Sequence, residues 1–131
     1  MKVPYYVAPV LLFACVAARA DTVDERLQQY RSQGGAEFST TAGRAMWVKE
    51  FPNPKGGDAR SCASCHTNDL TAKGKHVETG KVIEPMKPSV NPKRLTDAKQ
   101  IEKWFTRNCK WVLGRECTPS EKGSFLLYIR S

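Results

Sequence analysis

Two cysteines and one histidine stand close together in the segment Cys62-Ala63-Ser64-Cys65-His66. Two residues separate the cysteines, and the histidine follows the second one directly, which is the spacing of covalent c-type haem attachment. The two thiols can add to the two vinyl groups of one porphyrin, and the adjacent imidazole can bind the iron from the same side. The sequence therefore predicts one covalently bound haem c, an iron cofactor, held by Cys62 and Cys65, with His66 as an iron ligand.

Three other chemistries could use the same segment. A redox-active dithiol would need a βαβ unit around it, and the chain lacks the β-branched runs that predict such a sheet. A zinc site would need four ligands, for which His66 and His76 could join the two cysteines. An ordinary disulfide between Cys62 and Cys65 is the third alternative. The directly adjacent histidine and the export signal described below favour haem over all three.

The ligand on the other side of the iron would decide whether the protein only passes electrons or also binds molecules. Met86 is typical of the thioether in a His/Met electron carrier, and general spacing ranks it first. His76 would give ligation by two histidines, but the charged residues around it favour a solvated loop. Asn108 is the unconventional candidate, since a lone inward Asn is usually a hydrogen-bonded core amide. The residues alone leave this choice open.

Two helices are predicted before the haem motif. The first is short, stops at Gly34 and is predicted to be peripheral. The second runs from Ala42 to Phe51 and is closed by a proline. Gly43 on that helix would permit a close crossing with the last helix of the chain. The apolar positions of the first helix are Val23, Leu27 and Tyr30.

Two further helices are predicted after a long loop. Residues 71–93 have neither helical nor strand periodicity, and a loop of that length often wraps a large object such as a porphyrin. The last helix begins at Thr118-Pro119-Ser120-Glu121, which is the pattern of a capping box with proline in the first turn. The other helix is predicted from positions that recur at i, i+3, i+4 and i+7 on a single inward face: Ile101, Trp104, Phe105 and Asn108.

These elements predict an all-α protein with a small class I cytochrome c-like fold. Three to four helices and long loops would surround one covalently bound haem. The chain has 131 residues, enough for one small domain and too few for a large multidomain enzyme. Twenty-one Lys and Arg against thirteen Asp and Glu give a formal charge of +8, which favours an acidic partner.

The first twenty residues are predicted to be an export signal. A lysine opens the segment, an apolar run follows, and Ala18-Arg19-Ala20 has the small residues of a signal-peptidase site. Cleavage after Ala20 would leave residues 21–131 as a single monohaem cytochrome c domain in the periplasm. The apolar run is too short to span a bilayer comfortably, so no stable membrane insertion is expected. Nucleic acid is not an expected partner for an exported protein.

The haem motif and several short strings together resemble the sphaeroides haem protein family of cytochromes c. The order and spacing of the strings are specific, although each string alone is weak, and the resemblance extends from about Gly43 to the C-terminus. The strings are Thr79-Gly80-Lys81, Pro88-Ser89, Val90-Asn91-Pro92-Lys93-Arg94, Ile101-Glu102-Lys103-Trp104, Arg107-Asn108-Cys109 and Gly114-Arg115-Glu116-Cys117-Thr118.

The resemblance implies a distal ligand, a disulfide and an electron donor. Proteins of that family use an Asn directly before a Cys as the distal haem ligand, which maps onto Asn108 before Cys109. A disulfide beside the haem maps onto Cys109 and Cys117. The implied donor is a dihaem cytochrome c, alongside a membrane cytochrome b. An amide oxygen is a hard, weak ligand that suits ferric iron, so reduction should loosen Asn108 and open a site for oxygen, nitric oxide or carbon monoxide.

Three functional hypotheses follow. The first is a redox module that accepts electrons and binds a diatomic molecule once Asn108 leaves the iron. The second is a plain electron carrier in which Met86 is the distal ligand. The third, turnover of oxygen, nitric oxide or peroxide, ranks lowest, because no carboxylate or His-Arg pair is visibly placed for acid-base work. The segment from Lys73 to Arg94 contains six basic and two acidic residues. Its net positive charge would form a positive rim near the haem that steers an acidic electron donor.

Overall fold

Five helices and one short hairpin make up the part of the chain that the structure describes. The structure is a computed structural model that describes Met1 and residues 21–131, and the predicted signal segment after Met1 lies outside the described residues. The helices outnumber the three to four predicted from sequence, because the haem motif itself forms a short helix. The elements are α1 (Thr22–Ser32), α2 (Thr40–Val48), α3 (Ala63–His66), β1 (Gly74–Lys75), β2 (Val82–Ile83), α4 (Ala98–Leu113) and α5 (Pro119–Arg130).

Polar side chains fix where the longer helices begin. The Thr118 hydroxyl accepts from the Glu121 backbone N–H, and the Glu121 carboxylate accepts from the Thr118 backbone N–H, so the predicted capping box is formed. Asp97 caps α4 through the N–H of Gln100. Such caps satisfy backbone donors that a helix leaves free, each worth about 1 kcal/mol. At its other end α4 stops at Gly114, which adopts a left-handed conformation with φ 73°.

The helices α2 and α5 cross at Gly43, as the sequence predicted. A β-carbon on Gly43 would lie 2.1 Å from the carbonyl oxygen of Ser124, so only glycine permits this separation. The prediction that α1 is peripheral is wrong, because α1 packs against α4 and α5. Its Tyr30 is only 1% exposed and lies in one apolar cluster with Leu126 of α5.

Two other expectations about the elements are wrong in detail. Helix α2 ends at Val48, since the next residue turns to an extended conformation, and Phe51 instead pairs with Arg60 in an isolated antiparallel bridge. The segment 71–93 is not entirely loop, because Lys75 pairs with Val82 in a two-residue antiparallel hairpin. Strands this short carry too few residues to show an alternating pattern.

No helix within residues 21–131 combines the length and the apolar character needed to cross a bilayer.

Candidate functional site

The residues of the haem motif lie on one short helix with its thiols free. Cys65 is buried and Cys62 is half-buried, and neither is bonded to another cysteine among residues 21–131. Burial raises the pKa of the Cys62 thiol to about 12, so the thiol stays protonated at neutral pH. The helix start is held by reciprocal bonds in which the Ser61 N–H donates to the Ser64 hydroxyl and the Ser64 N–H donates to the Ser61 hydroxyl. Free thiols exclude the simple disulfide alternative for this structure.

His66 is a neutral imidazole with an unpartnered buried nitrogen. Burial, followed by the nearby Arg94 and His76, lowers the pKa of His66 to about 4. Its Nδ1 is buried and forms no hydrogen bond with any residue in 21–131. The Trp47 ring packs on the imidazole with 5.4 Å between centroids, and the Trp47 indole N–H donates to the carbonyl of Thr67 at 2.9 Å. A neutral imidazole fixed in this way keeps a lone pair available for a metal.

The β-hairpin packs directly against the haem-motif helix. A β-carbon on Gly74 would lie 2.0 Å from the carbonyl oxygen of Cys65, so the strand can approach α3 only at a glycine. The hairpin turn is closed by His76, whose Nδ1 accepts from the backbone N–H groups of Glu78 and Thr79, each at 3.3 Å. One ring nitrogen of His76 is thus already used by the turn.

The zinc alternative finds no support in the geometry. Nowhere in residues 21–131 do three His, Cys, Asp or Glu side chains gather closely enough to hold a metal ion. His76 packs against Trp111, with 5.6 Å between ring centroids, and the structure brings it into no ligand cluster with the two motif cysteines.

The three candidates for the distal position occupy different environments. His76 sits in the hairpin turn, and Met86 is half-buried against the main apolar cluster, with its backbone N–H bonded to the Leu70 carbonyl at 3.0 Å. Asn108 is half-buried on α4, and its side chain forms no hydrogen bond within the described chain. Asn108 is therefore not the hydrogen-bonded core amide that a lone inward Asn usually is.

The predicted inward face of α4 is narrower than the sequence indicated. Ile101, Cys109 and Val112 are buried, and Phe105 is half-buried against the apolar clusters, but Trp104 is 43% exposed. The placement of Trp104 among the inward residues is wrong, because the buried stripe follows Ile101, Phe105, Cys109 and Val112 and leaves Trp104 on its flank.

A disulfide joins α4 to the segment before α5. Cys109 and Cys117 are bonded, and their Cα atoms are 5.6 Å apart. Cys109 directly follows Asn108, so the bridge fixes the backbone next to the candidate distal ligand. Both cysteines belong to the main apolar cluster.

Arg60 and Trp111 are site-forming residues that sequence reasoning missed. Arg60 is 7% exposed, its guanidinium carbon lies 3.7 Å from the centroid of the Trp111 ring, and the same guanidinium donates to the Glu78 carboxylate. This stack connects the segment before Cys62, the hairpin turn and α4. A lone arginine 51 residues from its aromatic partner leaves no local pattern in a sequence, and no signal here could have found it.

The donor set fits a haem c. Two free thiols one helical turn apart are followed by a neutral imidazole with an unpartnered buried nitrogen, and an amide without a hydrogen bond is available on α4. Cys62 and Cys65 could hold the porphyrin, while His66 and Asn108 could bind its iron.

Comparison with known proteins decides the family. A family model described as "Domain of unknown function (DUF1924)" matches residues 33–129. The chain belongs to this family. A relative, cytochrome c'' from Methylophilus methylotrophus, is 45% identical over 91 residues, which are 70% of this chain and 62% of that protein. The chain thus spans less than two thirds of that relative. Cytochrome c-type protein SHP from Cereibacter sphaeroides is 41% identical over 100 residues, or 76% of each chain.

Solved structures of both relatives share the fold of this DUF1924 member. The crystal structure of oxidized cytochrome c'' has a TM-score of 0.73 at 36% identity and covers 82% of this chain and 92% of that one. Oxidized SHP, described as an oxygen-binding cytochrome c, has a TM-score of 0.74 at 37% identity. The match covers 85% of this chain and 98% of the SHP chain. The resemblance to the sphaeroides haem protein family and the helical cytochrome c-like fold are both confirmed, and haem c is the cofactor that follows.

Proposed function

We propose that this DUF1924 member is a periplasmic monohaem c-type cytochrome that transfers electrons and binds a diatomic ligand after Asn108 leaves the reduced iron. The observation that carries the proposal is the Asn108 amide, which lies beside the Cys109 bridge and forms no side-chain hydrogen bond to residues 21–131 that would compete with a metal. SHP, which has the same fold, is described as oxygen-binding. When bound, the haem would supply a one-electron couple and an iron site for a small molecule.

The motif side chains would hold the haem on its proximal side. Cys62 and Cys65 would attach the porphyrin by thioether bonds, and His66 would bind the iron through its neutral imidazole. Trp47 fixes the plane of that imidazole, because its own indole N–H is held by the Thr67 carbonyl. The proximal ligand is thereby oriented by packing rather than by a hydrogen bond to its Nδ1.

Asn108 would act as the removable ligand. Its amide oxygen is a hard, weak donor that binds ferric iron better than ferrous iron. Release would break no side-chain hydrogen bond of Asn108 to another residue in 21–131. A solution structure of cytochrome c'', with a TM-score of 0.71 at 36% identity, is described as giving insights into haem-ligand detachment in that protein. That relative supports detachment as a property of this fold.

The export and domain predictions belong to the same proposal. Cleavage after Ala20 would deliver residues 21–131 to the periplasm as one domain. An oxidising compartment suits the Cys109–Cys117 bridge, because such bonds persist there and are rare in the cytosol.

The partners proposed are an acidic redox protein and a diatomic molecule such as oxygen or nitric oxide. A dihaem cytochrome c or a membrane cytochrome b would supply the electrons, and basic residues between Lys73 and Arg94 would steer it at long range. Nucleic acid and stable membrane insertion form no part of the proposal.

A second candidate function is a plain electron carrier with Met86 as the distal ligand. The observation that favours it is the half-buried position of Met86 against the apolar cluster that also packs on Cys62. Arg94 holds the segment before Met86 by donating to the carbonyls of Pro85 and Glu84. Such a fixed loop suits a thioether ligand, which would remain bound in both oxidation states.

Optical spectra of the purified holoprotein separate these functions. We expect the ferrous protein to be high-spin and to shift on addition of carbon monoxide. We expect Asn108→Ala to change the ferric spectrum, whereas the matched variant Met86→Leu leaves it unchanged. Ferrous protein that stays low-spin and ignores carbon monoxide would refute the gas-binding proposal. A ferric spectrum changed only by Met86→Leu would establish the electron carrier instead.

A further inference from the structure

The outward face of α4 carries only basic charge. Lys99, Lys103, Arg107 and Lys110 recur at spacings of four, four and three, which places them along one side of the helix, and all four are exposed. Lys110 pairs with Glu116 at 3.3 Å. The other three form no ion pair with any residue from 21 to 131.

The acidic residue of α4 is turned away from this face. Glu102 accepts hydrogen bonds from the Tyr30 hydroxyl of α1 and the Lys122 ammonium group of α5. Its carboxylate is therefore already paired where these helices pack on α4. The charges of Lys99, Lys103 and Arg107 therefore face solvent without a compensating carboxylate on the same helix.

An exposed tryptophan borders the basic face. Trp104 is 43% exposed, and the Arg107 guanidinium lies 5.2 Å from its ring centroid. Trp104 precedes Asn108 by four residues, so the two side chains share one flank of the helix. Tryptophan and arginine are the residues most enriched at the energetic centres of protein interfaces.

Two of the six basic residues in the loop between Lys73 and Arg94 are engaged within that loop. Lys73 pairs with Glu84 at 3.1 Å, and Arg94 donates to backbone carbonyls of its own loop. The loop can contribute to the long-range electrostatic field, but these two basic side chains form contacts within the loop itself.

We propose that Lys99, Lys103, Trp104 and Arg107, termed here the α4 face, form the docking surface for an acidic electron-transfer protein. This inference rests on the proposed redox function and names the contact surface for its donor. The basic residues would attract an acidic surface and set the association rate, and Trp104 would supply the apolar contact that holds the complex. One electron would leave the ferrous haem of the partner, and the ferric haem of this chain would take it up.

Charge-reversal variants test the face. The probe is a purified acidic dihaem cytochrome c, reduced beforehand and mixed with the ferric holoprotein in a stopped-flow instrument at low salt. The triple variant Lys99→Glu, Lys103→Glu, Arg107→Glu should lower the second-order rate constant at least about tenfold. The matched triple with Arg44→Glu and two further exposed lysines reversed imposes the same change in net charge and should lower it less than about twofold. The two lysines are Lys49 and Lys55.

Trp104→Ala tests the apolar contact separately. Calorimetric titration with the same cytochrome should show about fivefold weaker binding for Trp104→Ala. Reduction by dithionite should be unchanged in this variant, because a small anion needs no apolar docking contact. Equal slowing in both triple variants, or a wild-type rate that does not fall with added salt, would overturn the inference.

Failure of the docking inference is distinguishable from failure of the proposed gas binding. Carbon monoxide titration of each chemically reduced variant reports gas binding without a protein donor. Protein that binds carbon monoxide but is not reduced by the acidic cytochrome overturns only the α4 face. Protein that is reduced in the predicted charge-dependent way but ignores carbon monoxide overturns only the gas site.

Discussion

Replacing Gly43 with alanine should loosen the crossing of α2 and α5. The new β-carbon would lie 2.1 Å from the Ser124 carbonyl oxygen and 2.9 Å from the β-carbon of Tyr128. Both contacts are far inside van der Waals distance, and the nearer one is to backbone, which cannot rotate away. The helices must therefore separate, and overpacking of this kind costs about 1–3 kcal/mol.

An opposing term reduces this cost. Alanine has a higher helix propensity than glycine by about 0.8–1.0 kcal/mol, and it loses less backbone entropy on folding. The steric term is the larger of the two, because it displaces two helices that share a buried interface. Because the clash is with backbone, the steric cost should lie in the upper half of its range, at about 2–3 kcal/mol. Subtracting the propensity gain leaves an expected net loss of about 1–2 kcal/mol in the free energy of unfolding, which corresponds to roughly 4–14 °C in Tm for a domain of this size.

Denaturant unfolding of the holoprotein, followed by circular dichroism, measures the loss. Ala45→Gly is the matched control, because Ala45 is exposed on the same helix and reports the propensity difference alone. Trp47 lies one turn after Gly43 and packs on His66, so the ferric spectrum of Gly43→Ala should change as well. A Gly43→Ala protein as stable as the unmodified one would refute the close-crossing argument.

Three further predictions concern the disulfide, the α1–α4 contact and the last helix. Replacing Cys109 and Cys117 together by serine should lower the free energy of unfolding, measured by denaturant titration, by about 2–3 kcal/mol on the chain-entropy estimate. The double variant should also bind carbon monoxide at an altered rate in flash photolysis, and an unchanged rate contradicts coupling between the disulfide and the site. Tyr30→Phe should cost about 1 kcal/mol in thermal unfolding by removing the hydrogen bond to Glu102, and an unshifted Tm contradicts it. Hydrogen bonds from Arg115, and then the capping bonds at Thr118, hold the pKa of the Glu121 carboxyl below its ordinary value of 4.5. The stabilisation by Glu121 is therefore full above that pH and is lost as the pH falls through the lower folded value, and Glu121→Gln should flatten this acid dependence of the free energy of unfolding.

The chemistry of the site is readable because its residues are close in sequence. The haem motif spans five residues, and the capping box at Thr118 spans four, so short-range rules predict both. Gly43 was also informative, since a glycine inside a helix usually marks a close approach. The conventional spacing argument favoured Met86, whereas the family resemblance favoured Asn108, and the structure places the two in different surroundings.

Long-range contacts explain what the sequence did not predict. The stack of Arg60 on Trp111 joins residues far apart in the chain, so no local sequence pattern predicts it. Trp104 fits the i+3 rule from Ile101, but a stripe at i, i+4, i+8 satisfies helical periodicity equally well, and packing against α1 and α5 selected the latter. The hairpin at Lys75 and Val82 has only two residues in each strand, and its turn is closed by hydrogen bonds to the His76 ring as well as by backbone bonds, which no strand pattern reveals.

The two ends of α4 are immobilised by different devices. At the start, the Thr22 hydroxyl donates to the Thr96 carbonyl beside the helix cap, and near the end the Cys109 bridge and the Arg60–Trp111 stack clamp the last turns. Contacts at both ends oppose sliding or tilting of the helix as a way to withdraw one side chain. In the function proposed above, Asn108 would therefore leave the iron by torsion about its own two side-chain bonds, with the helix backbone staying in place.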